Sequence, residues 1–263
     1  MLHRAKLRIA VIGGSGTLGR GVVAELLRRG HEARGVGRSS AEYSVDLRTG
    51  RGLAQAVEGC DVVVDASNDI SKEAAQTLVE GSKRLLAAET AAGVRHHVCV
   101  SIVGCEKIPF GYYRVKTDQE RVVAADGFPF SIVRSTQFHE LLAMFFGLVA
   151  RYRVIPVPRA RLQSIASIEA ARAVADVAEG EPLRRRLSVA GPVIDDVRRF
   201  AESWRHGTGR RVALLPIPLP GAFGAALRDG ALTDAQPDVR GTIPFDEWLS
   251  SAGAAAASAV TAS

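Results

Sequence analysis

"LRIAVIGGSGTLGRGVVAELLRRG", residues 7–30, holds the pattern on which the fold turns. Residues 7–14 are an apolar run ending in glycines, the mark of a strand buried on both faces of a parallel sheet. Leu18, Val22, Leu26 and Arg29 then recur at helical spacing, and Gly30 stops the helix. Between strand and helix lie Gly13, Gly16 and Gly19, with Ser15, Thr17 and Leu18 among them. Glycines at this spacing are weak evidence alone, but between a strand and a helix each has a physical purpose. One turns the chain sharply, one lets the backbone approach a pyrophosphate, and one lets helix pack on strand. The helix start offers unbonded N–H groups and the positive end of its dipole to phosphate. The loop is therefore predicted to bind a dinucleotide.

Outward from this unit the pattern repeats. Strands are predicted at 31–39, 60–67, 95–104 and 128–135, with helices at 48–59, 71–93 and 110–127 between them. Strand and helix thus alternate five times with crossovers long enough for parallel pairing. The expectation is an α/β fold, a Rossmann-type doubly wound parallel sheet with a small C-terminal cap region. After residue 135 the rhythm loosens. Helices are predicted at 137–152 and 167–180 and from Asp195, a strand at 185–192, and an irregular or edge segment at "IPVP" (155–158); "LLPIPLPG" (214–221) is proline-rich. The expected division is 1–150 for the dinucleotide-binding domain, with strands also contributed from later segments. Residues 151–250 form the small cap or substrate region, and the alanine-rich 251–263 a disordered tail.

Composition narrows the class. Of 263 residues 47% are apolar, enough for a sizeable core, and 24% are charged, an ordinary share for a globular chain. The net charge of +6 is scattered except for Arg184, Arg185 and Arg186, which read as a solvated loop. Without zinc-finger spacing or an RNA-binding aromatic motif, no nucleic-acid partner is expected. Cys60, Cys99 and Cys105 are odd in number and form no CxxC pair, which suits a reducing, cytoplasmic setting. The N-terminus has no signal-peptide layout. The longest apolar run, "LLAMFFGLVA" (141–150), is half of what spans a bilayer. The expectation is a soluble monomer or homodimer with a small-molecule substrate and no membrane partner. No cluster has metal-ligand spacing.

An NAD-preferring site usually carries a carboxylate at the end of strand two, where it bonds the ribose 2′-hydroxyl. Here "ARGVGRSS" (33–40) ends in Arg38, Ser39 and Ser40 with no acid. A guanidinium and hydroxyls suit a 2′-phosphate, so NADP(H) is the predicted cofactor. Arg34, alternating with Val36 and Arg38, is a further candidate helper.

The glycine loop, Arg38, "VSIVG" (100–104), "YYRVK" (112–116) and "FSIVRSTQFHE" (130–140) together resemble the atypical short-chain dehydrogenase/reductases, and most of all their NmrA-like NAD(P)H-binding group. Residues 164–192 resemble that group's C-terminal segment, so the likeness runs to about residue 250. It implies that Asp46 and Leu47 lie near the adenine, and that Ala66, Ser67 and Asn68 run along the cofactor. A turn cap is the alternative for Ser67 and Asn68. Ser135, Thr136, Gln137 and Phe138 would line the substrate pocket, or merely start the next helix.

In this family a Tyr-x-x-x-Lys pair moves the proton. Tyr112 and Lys116 are four apart, one turn of helix on one face, rising about 6 Å. A nearby ammonium lowers a phenol's pKa from about 10 and brings tyrosinate within reach. Lys116 would also hold the nicotinamide ribose. Ser101, after strand four, would orient the substrate oxygen or touch the cofactor. Tyr112, Lys116 and Ser101 are the expected catalytic residues. Tyr113 is one step round the helix, and His139, a lone histidine at a helix start, reads as structural. The leading functional expectation is an NADP(H)-dependent oxidoreductase acting on a small, largely apolar carbonyl or quinone-like substrate. A non-catalytic NADP(H)-sensing regulator is the alternative. A sugar-nucleotide epimerase or dehydratase ranks last, because the cap is short and rich in Leu, Ala and Pro.

Overall fold

Branched side chains stiffen an extended backbone and pack on both faces of a sheet. Four such runs form β1 (Arg8–Ile12), β3 (Val62–Asp65), β4 (His96–Ile102) and β5 (Phe130–Ser135), and the more polar EARGV forms β2 (Glu32–Val36) at the sheet edge. Helices α1 (Thr17–Arg28), α2 (Leu53–Val57), α3 (Gly81–Ala92) and α4 (Gly111–Ala125) alternate with them. The chain continues through β6 (Gln137–Phe138), α5 (His139–Ala150), β7 (Val154–Pro158), β8 (Arg161–Ile165) and α6 (Ser167–Glu179). It ends through β9 (Arg186–Ala190), β10 (Ile194–Asp196), α7 (Val197–Thr208), β11 (Ala213–Ile217), α8 (Gly221–Arg228), β12 (Val239–Arg240) and α9 (Phe245–Ser250). This is a computed structural model, which describes residues 6–38, 40 and 43–251. The predicted tail after Ser251 and the candidate Ser39 lie outside the described residues.

The chain divides into two compact units. The first takes Met1–Ser101, Pro109–Arg134 and Ala170–Leu187; the second takes Ile102–Ile108, Ser135–Glu169 and Ser188–Ser263. In the first, the strands lie in the order β2-β1-β3-β4-β5, with β1 parallel to β2 and β3, and β3 parallel to β4. The mostly parallel sheet with flanking helices is the doubly wound α/β fold expected from the sequence. Ile12 pairs with Val36 on one side and Asp65 on the other, so three strand ends finish level. The chain order reverses between β1 and β3, the switch point where such sheets open a crevice. Ile12, Val36, Val63, Leu85, Cys99 and Ile132 pack into the core below it. Helix α1 buries Leu18, Val22 and Leu26, as its spacing predicts. The long helix predicted at 71–93 is interrupted: a π-helical turn, Gln76–Glu80, precedes α3.

In the second unit β10-β8-β6 make a small sheet, and β9 pairs in parallel with β12. Residues 155–158, read as an irregular or edge segment, and the proline-rich 214–221 supply β7 and β11, which pair in parallel with Pro156 opposite Leu215 and Val157 opposite Pro216. A two-stranded ribbon leaves one side of each strand unpaired, and there a proline forfeits no ladder bond. Beside the ribbon, Phe146 meets Trp204, while His139, Phe200 and Trp248 gather round Phe245.

Candidate functional site

The glycines of the loop after β1 do different things. Gly13 has φ +75°, and a Cβ there would strike the Ala66 carbonyl oxygen at 2.7 Å. A Cβ at Gly19 would lie 2.2 Å from the Gly13 carbonyl oxygen. Those two are required by turn and packing. Gly16 is required by neither: its φ of −73° and ψ of 169° suit any residue, and its Cβ would meet only the Gly13 carbonyl oxygen, at 3.2 Å. Space is left beside it on the ligand side of the loop. Gly16 is also the N-cap of α1 and supplies no capping side chain. The first helical bond runs from Arg20 N–H to the Gly16 carbonyl at 3.0 Å, so the Thr17, Leu18 and Gly19 N–H groups have no acceptor within the helix. The first turn carries no acid to compete with a phosphate.

The loops after β2 and β3 leave the same edge. Arg38 is exposed just past β2, and its positive charge helps hold the Asp69 carboxyl below the ordinary range, after hydrogen bonds from Ser71 and Thr77. Arg34 is engaged elsewhere: its guanidinium donates to the Glu58 carbonyl at 2.6 Å and to Cys60 Sγ at 2.8 Å, and lies over the Tyr43 ring. Its alternation with Val36 and Arg38 places it only on the same strand face as Arg38, and its donors are engaged here. Asp46 turns its carboxylate onto the Arg48 N–H at 2.9 Å, and Leu47 is buried against Gly81 at the start of α3. Past β3, the Ala66 N–H donates to the Ile12 carbonyl at 3.0 Å, fixing this loop to β1. The Ser67 N–H is held by Asp65 Oδ1 at 3.0 Å, while Ser67 Oγ is buried with no hydrogen-bond partner among the described residues. A buried hydroxyl without a partner is costly, and a polar ligand atom would satisfy it. The open face of Gly16, the uncapped helix start and this hydroxyl all fit a bound dinucleotide.

Helix α4 carries the tyrosine and lysine, and the structure sends their polar ends to different partners. The Tyr112 hydroxyl donates to Asn68 Oδ1 at 2.5 Å. The Lys116 ammonium is buried and donates to the Val100 carbonyl at 2.8 Å and to Gln119 Oε1 at 2.6 Å. Gln119 passes the contact on, its amide reaching Asp65 Oδ2 and Ser82 Oγ, each at 3.1 Å. Asp65 therefore holds α4 with one oxygen and the Ser67 N–H with the other. The loop bearing Asn68 is tied to α4 twice, at Tyr112 and through Gln119. Residue type and spacing single out neither Gln119 nor Asp65. The one available signal is a carboxylate ending the apolar run "VVVD". Burial pushes the neighbouring Tyr113 phenol above its ordinary pKa.

Ser101 is buried and hydrogen-bonds the Glu120 carboxylate. That carboxylate is fully buried and takes Arg134 through two bonds, at 2.8 and 2.7 Å, and Arg186 at 2.7 Å. Burial alone would raise its pKa, but the hydrogen bonds from Arg134, Arg186 and Ser101 prevail and lower it.

In the second unit, Ser135 and Thr136 are buried. Ser135 Oγ bonds the Thr136 carbonyl, and Thr136 Oγ1 accepts the Gly191 N–H at 3.2 Å. Gln137 and Phe138 form β6 beside Ser164 and Ile165, and Gln137 Oε1 is buried without a partner among the described residues. His139 is fully buried. Its Nε2–H donates to the Ile243 carbonyl at 3.0 Å, which leaves Nδ1 to accept from Ser164 Oγ at 2.8 Å. Burial depresses its pKa, so the ring is a neutral structural link, as its position suggested. Among the described residues no group of His, Cys, Asp and Glu could hold a metal ion, and no helix is long and apolar enough to cross a membrane.

A family model described as NAD(P)H-binding matches residues 13–141. The chain is 28% identical over 165 residues to the photosystem II assembly factor Ycf39 of Cyanophora paradoxa. That alignment covers 56% of this chain and 49% of the assembly factor, so the chain matches about half the length of this relative. Among solved structures, an NADPH-dependent quinone oxidoreductase from Escherichia coli, complexed with NADPH, superposes with a TM-score of 0.78 at 17% identity, covering 92% of this chain and 98% of its own. The UDP-glucose 4-epimerase of Thermotoga maritima, with UDP-glucose, gives 0.78 at 15% identity, covering 97% and 100%. At these identities the likeness shows the fold.

Proposed function

For a chain whose residues 13–141 match the NAD(P)H-binding family model, we propose an NADP(H)-dependent oxidoreductase of the atypical short-chain dehydrogenase/reductase class that its sequence resembles. Its substrate is a small, largely apolar carbonyl or quinone-like compound. The observation that carries this reading is the Tyr112 hydroxyl, bonded at 2.5 Å to Asn68 on the loop that follows β3. That bond keeps the phenol beside the loop after β3, on the sheet edge that also carries the glycine loop, which supports a proton donor there. A bound dinucleotide supplies or accepts the hydride. The chain's own residues do the rest. The α1 N-terminus and Gly16 receive the pyrophosphate, Arg38 the 2′-phosphate, and Ser67 Oγ a polar atom of the cofactor. Tyr112 gives its proton to the substrate oxygen in reduction and takes it back in oxidation. Lys116 has two of its three donors committed, which holds α4 in register, and its third would be the one to hold the nicotinamide ribose. Cys60, Cys99 and Cys105 are buried thiols that form no disulfide among the described residues, which supports a reducing, cytoplasmic setting.

A specific observation favours a second reading, the NADP(H) sensor. Ser101 is committed to Glu120, and the Lys116 ammonium to Val100 and Gln119, so two of the three expected catalytic groups have structural partners. The readings separate in an NADPH-oxidation screen over quinones, aldehydes and ketones. The enzyme oxidises NADPH with one of these classes and loses that activity in Tyr112→Phe. A protein that binds NADPH tightly and turns over none of them is the sensor.

A further inference from the structure

Helix α5 buries one face and leaves the other bare. Leu141 is 49% exposed, Met144 44%, Phe145 44% and Leu148 51%, and Tyr152, just past the helix, is 68% exposed. Their positions follow i, i+3, i+4, i+7 and i+11, so they form a single stripe, uncharged from Leu141 to Leu148 and joined by the exposed Arg151 at its C-terminal end. Isolated exposed apolar residues need no explanation, but a continuous stripe marks an interaction surface. The opposite face is satisfied, with Leu142, Phe146 and Ala150 buried.

The C-terminal end of the stripe runs into positive charge. Arg151 donates to the Tyr152 hydroxyl at 2.7 Å and lies over its ring. Arg153 is exposed, and its carbonyl accepts the Ala213 N–H at 2.9 Å. Ala213 in turn lines an open cleft of about 620 Å³ whose walls include Arg205, His206, Arg210 and Arg211 against one carboxylate, Glu202. Glu202 is already held by Arg198 at 3.0 Å. An apolar stripe ending in an aromatic–arginine pair and a basic cleft has the chemistry of a helix lying in the headgroup region of an anionic membrane.

We propose that the exposed face of α5 and the adjoining basic cleft dock this protein on the surface of an anionic lipid bilayer. Charge complementarity selects this occupant over a second copy of the chain. Two copies meeting on this face would set one arginine rim against another, in a protein whose net charge is already +6. Docking here is peripheral, and it explains why the run at 141–150, too short to span, is nonetheless apolar on the side that faces water.

The test is co-sedimentation of the full chain with vesicles of phosphatidylcholine alone, or of equal parts phosphatidylcholine and phosphatidylglycerol. The expected result is sedimentation with the mixed vesicles only, reversed by high salt. Phe145→Ser with Leu148→Ser should abolish binding, and Arg210→Gln and Arg211→Gln should weaken it by about fivefold for each charge removed. NADPH titration of each variant checks that it is folded. Sedimentation with neither vesicle, equal sedimentation with both, or binding unchanged in the folded variants would overturn the proposal. So would a dimer in sedimentation velocity that Phe145→Ser with Leu148→Ser dissolves while the wild type ignores vesicles.

Discussion

The Tyr112 hydroxyl and Asn68 Oδ1 are 2.5 Å apart, while the Lys116 ammonium, one helical turn on, bonds the Val100 carbonyl. The two members of the pair therefore have separable duties. Tyr112 is half-buried, with its hydroxyl donated to Asn68, and is the proposed proton donor; Lys116 is a buried tie between α4 and β4. Tyr112→Phe should leave NADPH affinity nearly unchanged and lower turnover by about 10²-fold or more. Lys116→Met should instead lower stability, by about 1–3 kcal/mol, because the Val100 carbonyl and Gln119 lose a buried donor. Cofactor titration, turnover and urea midpoints of the two variants give the answer. A Tyr112→Phe enzyme of full activity would show that the phenol is not the proton donor.

Gly16→Val tests the loop without touching the core. The Gly16 backbone is extended and a Cβ meets one atom at 3.2 Å, so the fold should tolerate the side chain. The branched carbons would then occupy the place of the pyrophosphate. Cofactor binding should vanish while circular dichroism and the urea midpoint stay near wild type. The same substitution at Gly19 should damage the fold, since a Cβ there would lie 2.2 Å from backbone.

Arg38 is the group that should decide between the two nicotinamide cofactors. It is exposed past β2, and Arg34, the other candidate, is spent on Glu58 and Cys60. Arg38→Ala should weaken NADPH by the worth of one or two charge-assisted hydrogen bonds, about 1.5–3 kcal/mol each, and leave NADH almost unaffected. Equal wild-type affinity for both cofactors, by calorimetry, would remove arginine from the argument.

The sheet was legible because its evidence is local. A buried parallel strand is a run of Val and Ile, and a crossover helix shows its own period, so residues 7–135 declare themselves. The glycine loop was legible for the same reason, as was the neutral, structural role of His139. The polar wiring was not. Asp65 and Gln119 lie 54 residues apart and meet only because β3 and α4 fold together. Ser101 looked like a substrate-orienting hydroxyl because strand four places it at the right edge. Its bond to Glu120 depends on which face of α4 packs against that strand end, and the helical period alone does not fix that. The β7–β11 ribbon was hidden because proline speaks against strands, a rule that fails on an unpaired side.

Glu120 offers a test in which the sign of the pH dependence discriminates. Its carboxylate is 0% exposed; the Arg134 side chain that pairs with it is 15% exposed and that of Arg186 47%. Glu120→Gln keeps the shape but removes the charge that Arg134 pairs with, and Arg134, at 15% exposure, is less able to turn to water than Arg186 at 47%. Breaking a buried pair from one side costs about 3–5 kcal/mol, and the partial exposure here points to the lower end. The folded-state pKa of Glu120 is lowered, since the arginine and Ser101 hydrogen bonds outweigh the burial that would raise it. A depressed carboxyl pKa stabilises the fold in full above the unfolded value, about 4.3, and loses that contribution as pH falls through the folded value. Urea midpoints of wild type and Glu120→Gln should therefore differ by a constant amount from neutral pH down to about 5, and converge as pH falls below the unfolded value of about 4.3 and through the lower folded value. If the gap instead persists into acid, the cluster contributes through packing and not through charge, and the carboxylate has no electrostatic hold on Arg134 or on the Ser101 hydroxyl.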